Sequence, residues 1–167
     1  DPRCELYGEW QYLRLSDTDT DAAQVRDNLP ASAKVSTAIQ NGIVLGADNG
    51  LAGGIGTVDS AFAQLGRIVP ISGNFPAQPD EIAMTTTLLD ALGCSYDLGQ
   101  TITLKVADND YDPLSGSGKI VEQTYTLCGV LPAYDVYWNL GSNLTVSAVV
   151  AEPLALAGQK FQTFYDL

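Results

Sequence analysis

The apolar residues of this chain follow strand spacing and helix spacing in turn, which is typical of a mixed α/β protein. Residues 10–15 alternate as a strand, and residues 16–29 then carry three apolar side chains on one helix face, Ala22, Val25 and Leu29. Thr18 and Asp21 form an S/T-x-x-D capping pattern at the start of this helix. Residues 35–45 return as a strand, so the segment predicts a β-α-β unit that packs one helix across a sheet.

A second strand-helix-strand order is predicted between residues 81 and 106. Residues 81–84 begin a strand, and a run of threonines then precedes leucines at helical spacing, Leu88, Leu89 and Leu92. We predict a two-turn helix with Thr85 or Thr86 as N-cap and Gly93 as C′. The β-branched alternation of residues 101–106 predicts the next strand. Both short helices should therefore pack on one twisted, mixed sheet, an α/β (α+β) fold.

Glycine and proline divide the rest of the chain. Residues 68–80 are rich in proline, which breaks both helix and sheet, so we predict an ordered irregular crossing there. The glycine cluster in residues 50–56 predicts a turn, and residues 108–119 predict a polar surface loop. Residues 146–151 predict a late strand, whereas residues 158–167 have a helical or irregular pattern.

The most ordered run of the sequence extends from residue 66 to residue 106, GRIVPISGNFPAQPDEIAMTTTLLDALGCSYDLGQTITLKV. It contains a Gly-Arg pair followed by prolines, an EI-x-hydrophobic strand, a short helix ending in glycine, a hydrophilic glycine turn and a TITL strand. Residues 125–131, YTLCGVL, add a strand of the form F-x-V-V-G-I. Over roughly residues 54–131, this order resembles the extracytoplasmic core domain of FtsX/MacB-type ABC transporter permeases.

The resemblance implies a fold, a location and partners. The fold would be a MacB-like core domain on the extracytoplasmic side of the bacterial cell membrane, anchored by transmembrane helices that this chain lacks. ATP would be hydrolysed by a separate cytoplasmic ABC ATPase subunit or domain. The domain itself would transmit that movement to an extracellular substrate or protein, and a second permease copy is a further expected partner.

The length of the chain is compatible with that context. A chain of 167 residues is most simply one domain, and its longest apolar stretch, residues 146–158, is too short to cross a bilayer and contains Glu152 and Pro153. The chain starts at Asp1 without an initiator methionine or a signal-like segment. We therefore expect residues 1–167 to be a single extracytoplasmic domain excised from a longer membrane protein.

The charge of the chain limits its partners. The formal net charge is −12, and the eight basic residues form no long run. Nucleic acid and anionic lipid both require clustered lysine and arginine, so we expect neither as a partner. A cationic partner is compatible with this charge, and so is a simple role in keeping an exposed domain dissolved.

The absence of histidine argues against catalysis. Without histidine the chain has no Ser-His or Cys-His pair and none of the usual nitrogen ligands for metals. Residues 17–22 and 108–113 begin like calcium loops, but Ala22 and Pro113 replace the turn glycine. We therefore expect no enzyme, no cofactor and no metal. A carboxylate-pair enzyme such as a glycosidase is compatible with 20 acidic residues, although most lie at helix caps and in loops.

Three aromatic residues in the segment 132–139 are the predicted partner-binding residues, Tyr134, Tyr137 and Trp138. Aromatic side chains supply large desolvated contact areas at interfaces. The alternative is that Tyr134 and Trp138, four residues apart, pack on the core. If the aromatic segment is a sugar-stacking platform, the chain would instead be a secreted or surface-anchored binding module, for example for carbohydrate.

The three cysteines, Cys4, Cys94 and Cys128, show no C-x-x-C spacing and predict neither a zinc site nor a disulfide framework. Cys94 and Cys128 can pair only if the helix packs on the later strand; two buried thiols are the alternative.

Overall fold

The computed structural model describes residues 10, 12–138, 144–156 and 158–167. Its strands form one mixed nine-stranded sheet. They are β1 (Tyr12–Ser16), β2 (Lys34–Leu45), β3 (Leu51–Val58), β4 (Ser72–Gly73), β5 (Glu81–Thr85), β6 (Thr101–Ala107), β7 (Ile120–Leu131), β8 (Val146–Val150) and β9 (Lys160–Asp166). The helices in these ranges are short: α1 (Asp19–Asp27), α2 (Phe62–Gly66), α3 (Thr86–Ala91) and α4 (Asp135–Trp138). The predicted mixed α/β class is confirmed.

The first predicted β-α-β unit is present with one strand inserted. β9 lies between β1 and β2 and is antiparallel to both, so β1 and β2 run parallel to each other. α1 makes the crossover and packs against β1 and β9. Thr18 caps α1 as predicted, because its Oγ1 accepts a hydrogen bond of 3.1 Å from the backbone N–H of Asp21.

Six of the strands close into a ring. The pairing runs from β2 through β3, β8, β5, β7 and β6 and returns to β2. The closure uses three residue pairs between β2 and β6, beginning with Ile43 opposite Ala107. β2 pairs with β9 in its first half and with β6 in its second half. Its register with β3 shifts between Gln40 and Gly42, so a bulge at Asn41 marks the change of partner.

Two apolar clusters lie on opposite sides of this ring. The first core cluster receives side chains from all six ring strands and from α3, including Val44, Ile55, Met84, Leu88, Leu104, Leu127 and Val150. The second core cluster joins the ring to α2, α4 and β9, and it includes Phe62, Leu65, Leu131, Tyr134, Trp138, Val149 and Phe164. Along β8, Ala148 and Val150 belong to the first core cluster and Val149 to the second. Both faces of this strand are therefore buried.

Three of the four glycines predicted to form a turn lie in a strand instead, so the turn prediction holds only for Gly50, which precedes β3. Gly53, Gly54 and Gly56 all lie within β3. A Cβ at Gly54 would lie 2.7 Å from Gln40 Oε1 and 2.7 Å from the Thr145 carbonyl oxygen. A Cβ at Gly56 would overlap the carbonyl oxygen of Ile39. These glycines permit close approach of neighbouring groups, a requirement that the local sequence does not reveal.

The helical or irregular interpretation of residues 158–167 is also wrong, because residues 160–166 form β9. This strand lies between β1 and β2, and its residues Phe161–Phe164 are all buried. Gln162 and Thr163 are among them, so apolar and polar residues do not alternate along the strand. A strand covered on both faces lacks the period-two pattern from which strands are usually recognised.

The strand-helix-strand order of residues 81–106 is confirmed. Thr85 is the N-cap of α3, and its Oγ1 accepts a hydrogen bond of 3.2 Å from the Leu88 N–H. Gly93 follows with φ of 68°, the left-handed conformation expected at C′. The predicted loop at residues 108–119 is mostly exposed, but Asn109 and Tyr111 point inwards and are buried.

Cys94 and Cys128 are both free thiols. Cys94 packs against the first core cluster and Cys128 against the second, which explains why they do not pair. Burial, together with the nearby Glu81 carboxylate, raises the pKa of Cys128 to about 11. Cys4 lies outside the described residues.

Candidate functional site

Two of the three predicted partner-binding residues lie in the core. Trp138 is 2% exposed and Tyr134 is 5% exposed. The ring centroid of Trp138 lies 4.9 Å from that of Tyr134 and 5.3 Å from that of Phe164. The Tyr134 hydroxyl donates a hydrogen bond of 2.6 Å to the Val146 carbonyl oxygen. The alternative given by the sequence therefore applies to Tyr134 and Trp138, and they form no accessible surface.

Tyr137 lies on the outer side of α4. Its side chain is 46% exposed, and that of the preceding Val136 is 58% exposed. The helix is anchored by Tyr134 and Trp138, so these two side chains are held outwards on a fixed backbone. Partner binding at Tyr137 stays a prediction.

The irregular crossing contributes two exposed side chains that the sequence analysis did not single out. Val69 is 76% exposed and Ile71 is 62% exposed, whereas Ile68, which precedes them, is buried. The Ile71 N–H donates a hydrogen bond of 2.8 Å to the Val130 carbonyl oxygen near the end of β7. The sequence carries no signal for this difference, because Ile68, Val69 and Ile71 are all apolar and β-branched.

The crossing and α4 lie at the same end of β7. α4 follows β7 after a short connection, and a Cβ at Gly66 would lie only 2.5 Å from the Trp138 ring. Gly66 is thus a glycine because the indole occupies the space beside it. We call the exposed side chains at this end the apolar end surface: Val69, Ile71, Val136 and Tyr137.

Asp135 links α4 to α3. It is buried, and its Oδ2 accepts a hydrogen bond of 2.9 Å from Thr85 Oγ1, the side chain that also caps α3. Its Oδ1 has no hydrogen-bond partner among the described residues. Burial raises the pKa of Asp135, and the hydrogen bonds from Thr85 and Thr87 oppose that change only in part.

On acidification from about pH 7 to about pH 4, we expect the free energy of unfolding to change less favourably in the Asp135→Asn variant than in the unaltered chain. A carboxyl with a raised pKa in the folded state favours folding below its unfolded pKa of about 3.9, and this contribution is lost as the pH rises through the folded pKa. Urea unfolding of both proteins between about pH 4 and about pH 7 measures the difference. The exposed Asp27→Asn variant controls for charge, and an equal change in that variant contradicts the role of burial.

Two acidic side chains of the 108–119 loop accept hydrogen bonds from backbone N–H groups of the same loop. Asp108 Oδ2 accepts from the Lys119 N–H at 3.1 Å, and Asp112 Oδ1 accepts from the Leu114 N–H at 2.9 Å. Within residues 10, 12–138, 144–156 and 158–167, no group of three or more histidine, cysteine or acidic side chains is placed to hold a metal ion. In the same ranges, no helix has the length and apolarity needed to span a membrane.

Among known proteins, this chain has structural similarity at low sequence identity. No family model and no curated protein matches the chain. Among solved structures, the chain is similar to a crystallised domain of a "putative Permease protein" from Porphyromonas gingivalis, with 12% sequence identity and a TM-score of 0.40. The match covers 85% of this chain and 64% of that one, so the chain spans less than two thirds of that domain.

Proposed function

We propose that this chain is the extracytoplasmic domain of an ABC transporter permease subunit and that it binds a protein partner through the apolar end surface. The proposal rests on one observation: Val69, Ile71, Val136 and Tyr137 are held exposed by buried neighbours at one end of β7. Exposed apolar side chains that cluster on a folded protein mark interaction sites. The order of residues 54–131, which resembles FtsX/MacB-type permeases, supports the transporter context.

The backbone around the apolar end surface suits a binding role. The crossing is ordered by β4, which pairs Ser72 and Gly73 with β7, and by the burial of Ile68. A surface that is already ordered loses little conformational entropy when a partner binds. In this role the domain catalyses nothing, and a cytoplasmic ABC ATPase supplies the energy for movement.

The proposed binding surface combines exposed apolar side chains with the negative net charge of the protein. The net charge of −12 attracts cationic partners over long range. At contact, removing Val69 and Ile71 from water contributes favourable free energy to binding. An extracellular protein, or a second permease copy, would cover these side chains. Nucleic acid is not expected, since the eight basic residues form no long run.

The transporter role is tested in the intact parent protein. We expect it to sediment with membranes, to expose this domain to protease added outside the cell, and to co-purify with an ABC ATPase. Absence of all three would overturn the permease assignment. A secreted product with repeated modules would instead favour the alternative, a surface-anchored binding module.

The surface is tested by charge insertion. We expect Val69→Asp with Ile71→Asp to reduce transport-coupled ATPase activity about tenfold or more, because a buried unpaired carboxylate at an interface costs several kcal/mol. The isolated double variant should remain folded, since both side chains are exposed. Leu114→Asp, at a side chain 97% exposed on the 108–119 loop, is the matched control. Equal activity of the double variant and the control would overturn the surface.

The carbohydrate alternative loses most of its support from this geometry. A sugar-stacking platform needs exposed aromatic faces, and of the three aromatics only Tyr137 is exposed. We therefore propose the apolar end surface as a protein contact.

A further inference from the structure

A cavity of about 270 Å³ opens between the end of β1, the middle of β2, the 108–119 loop and β9. It lies away from the apolar end surface and shares no residue with it. At about 30 Å³ for each water molecule in the liquid, the volume corresponds to about nine waters. A free amino acid has a comparable size.

The wall of the cavity contains three buried amide side chains, which we call the amide cluster: Gln40, Asn109 and Gln162. Gln40 Nε2 donates a hydrogen bond of 2.8 Å to Asn109 Oδ1, and Asn109 Nδ2 donates one of 2.9 Å to the backbone carbonyl oxygen of Gln40. Gln162 Nε2 donates to the Leu144 carbonyl oxygen at 2.6 Å. The amide cluster is therefore fixed by hydrogen bonds across β2, the loop and β9, as a preorganised binding wall requires.

One acceptor of the amide cluster is unused. Gln162 is 4% exposed, and its Oε1 is buried without a hydrogen-bond partner among the described residues. A buried amide oxygen without a donor costs free energy. The oxygen has almost no accessible surface, so a ligand N–H bonds to it after a small rotation of the Gln162 amide, and the new hydrogen bond offsets that cost. The bond from Gln162 Nε2 to Leu144 defines which end of the amide is the oxygen.

The mouth of the cavity carries opposite charges. Asp17 and Lys160 both line it, and both are at least partly exposed. A lining with one carboxylate and one ammonium group does not by itself favour an ion of single sign. It favours a molecule that presents both charges, because each charge then forms a charge-assisted hydrogen bond.

We propose that this cavity binds a small zwitterion of the size of a free amino acid, with its ammonium group towards Asp17 and Gln162 and its carboxylate towards Lys160. The site is independent of the proposed permease function and goes beyond it. It would give the domain a small-molecule ligand in addition to its protein contact.

The first test is binding of each of the 20 free L-amino acids to the 167-residue chain, followed by amide chemical shifts in NMR. We expect at least one to bind, with the largest shifts at residues of β9, the 108–119 loop and the end of β1. Amino acids blocked at the amine by acetylation, or at the carboxylate as the amide, should bind about tenfold more weakly or worse. No binding by any of the 20 at millimolar concentration, or shifts confined to another surface, overturns the proposal.

The second test uses charge-neutral variants. Asp17→Asn and Lys160→Gln should each weaken binding of the best amino acid about tenfold, because each removes one charge-assisted hydrogen bond. Asp19→Asn and Lys119→Gln make the same chemical changes outside the cavity and should bind like the unaltered chain. If they weaken binding equally, general electrostatics explains the result and the site is wrong. Near-ultraviolet circular dichroism verifies that each variant is folded.

Discussion

Replacing Trp138 with alanine is expected to lower the free energy of unfolding by about 3–5 kcal/mol. The indole is almost fully buried and touches the rings of Phe62, Tyr134 and Phe164 in the second core cluster. Its removal leaves a cavity at the junction of α2, α4 and β9. The indole N–H has no hydrogen-bond partner among the described residues, so the loss comes from packing rather than from a broken hydrogen bond.

Urea unfolding followed by circular dichroism measures this effect, and Tyr137→Ala is its control. Tyr137 is the next residue on the same helix and is 46% exposed, so its replacement should change stability by less than about 1 kcal/mol. Similar losses in the two variants would contradict the buried position of Trp138. A Trp138→Phe variant should fall between the unaltered chain and Trp138→Ala, because one ring is retained.

Replacing Gly56 with alanine is expected to cost about 3 kcal/mol or more, although only one methyl group is added. The new Cβ would overlap the carbonyl oxygen of Ile39 and lie 2.8 Å from its carbonyl carbon. These are backbone atoms of the neighbouring strand β2, so no side-chain rotation can relieve the clash. The β2–β3 pairing must separate, and this pairing forms part of the closed ring.

The control for this prediction is Gly46→Ala. Gly46 lies in the turn between β2 and β3, where a Cβ would have its nearest contact at 3.4 Å from the Asp48 carboxylate. Its replacement should change the free energy of unfolding by less than about 1 kcal/mol. Equal and small effects at both glycines, measured by thermal and urea unfolding, would show that β3 lies farther from β2 than the structure places it.

The elements that local rules could predict are the ones whose stabilising contacts are local. Thr18 bonds to Asp21 and Thr85 bonds to Leu88, three residues away in each case, so capping patterns identified both helix starts. Gly93 was placed correctly because a helix C′ residue needs a left-handed backbone irrespective of what surrounds it.

The errors share a different cause. The glycines of β3 resembled a turn because their real constraint comes from distant parts of the chain, namely Ile39 in β2 and Thr145 just before β8. β9 was not recognised because both of its faces are buried at residues 161–164, so apolar and polar residues do not alternate along it. Asn109 was assigned to a solvated loop, although its amide is bonded to Gln40, 69 residues away in sequence.

For the candidate sites, the sequence by itself determined the residue types but not their exposure. It identified Tyr134, Tyr137 and Trp138 as one aromatic segment, and only the packing of α4 against Phe62 and Phe164 decided that Tyr137 faces outwards. The sequence likewise contains Asp17, Gln40, Asn109, Lys160 and Gln162, and only the closed ring with β9 beside β2 brings them around one cavity. Capping and turn preferences act over a few bonds, whereas burial and cavities depend on which strands become neighbours, and the tertiary structure decides that.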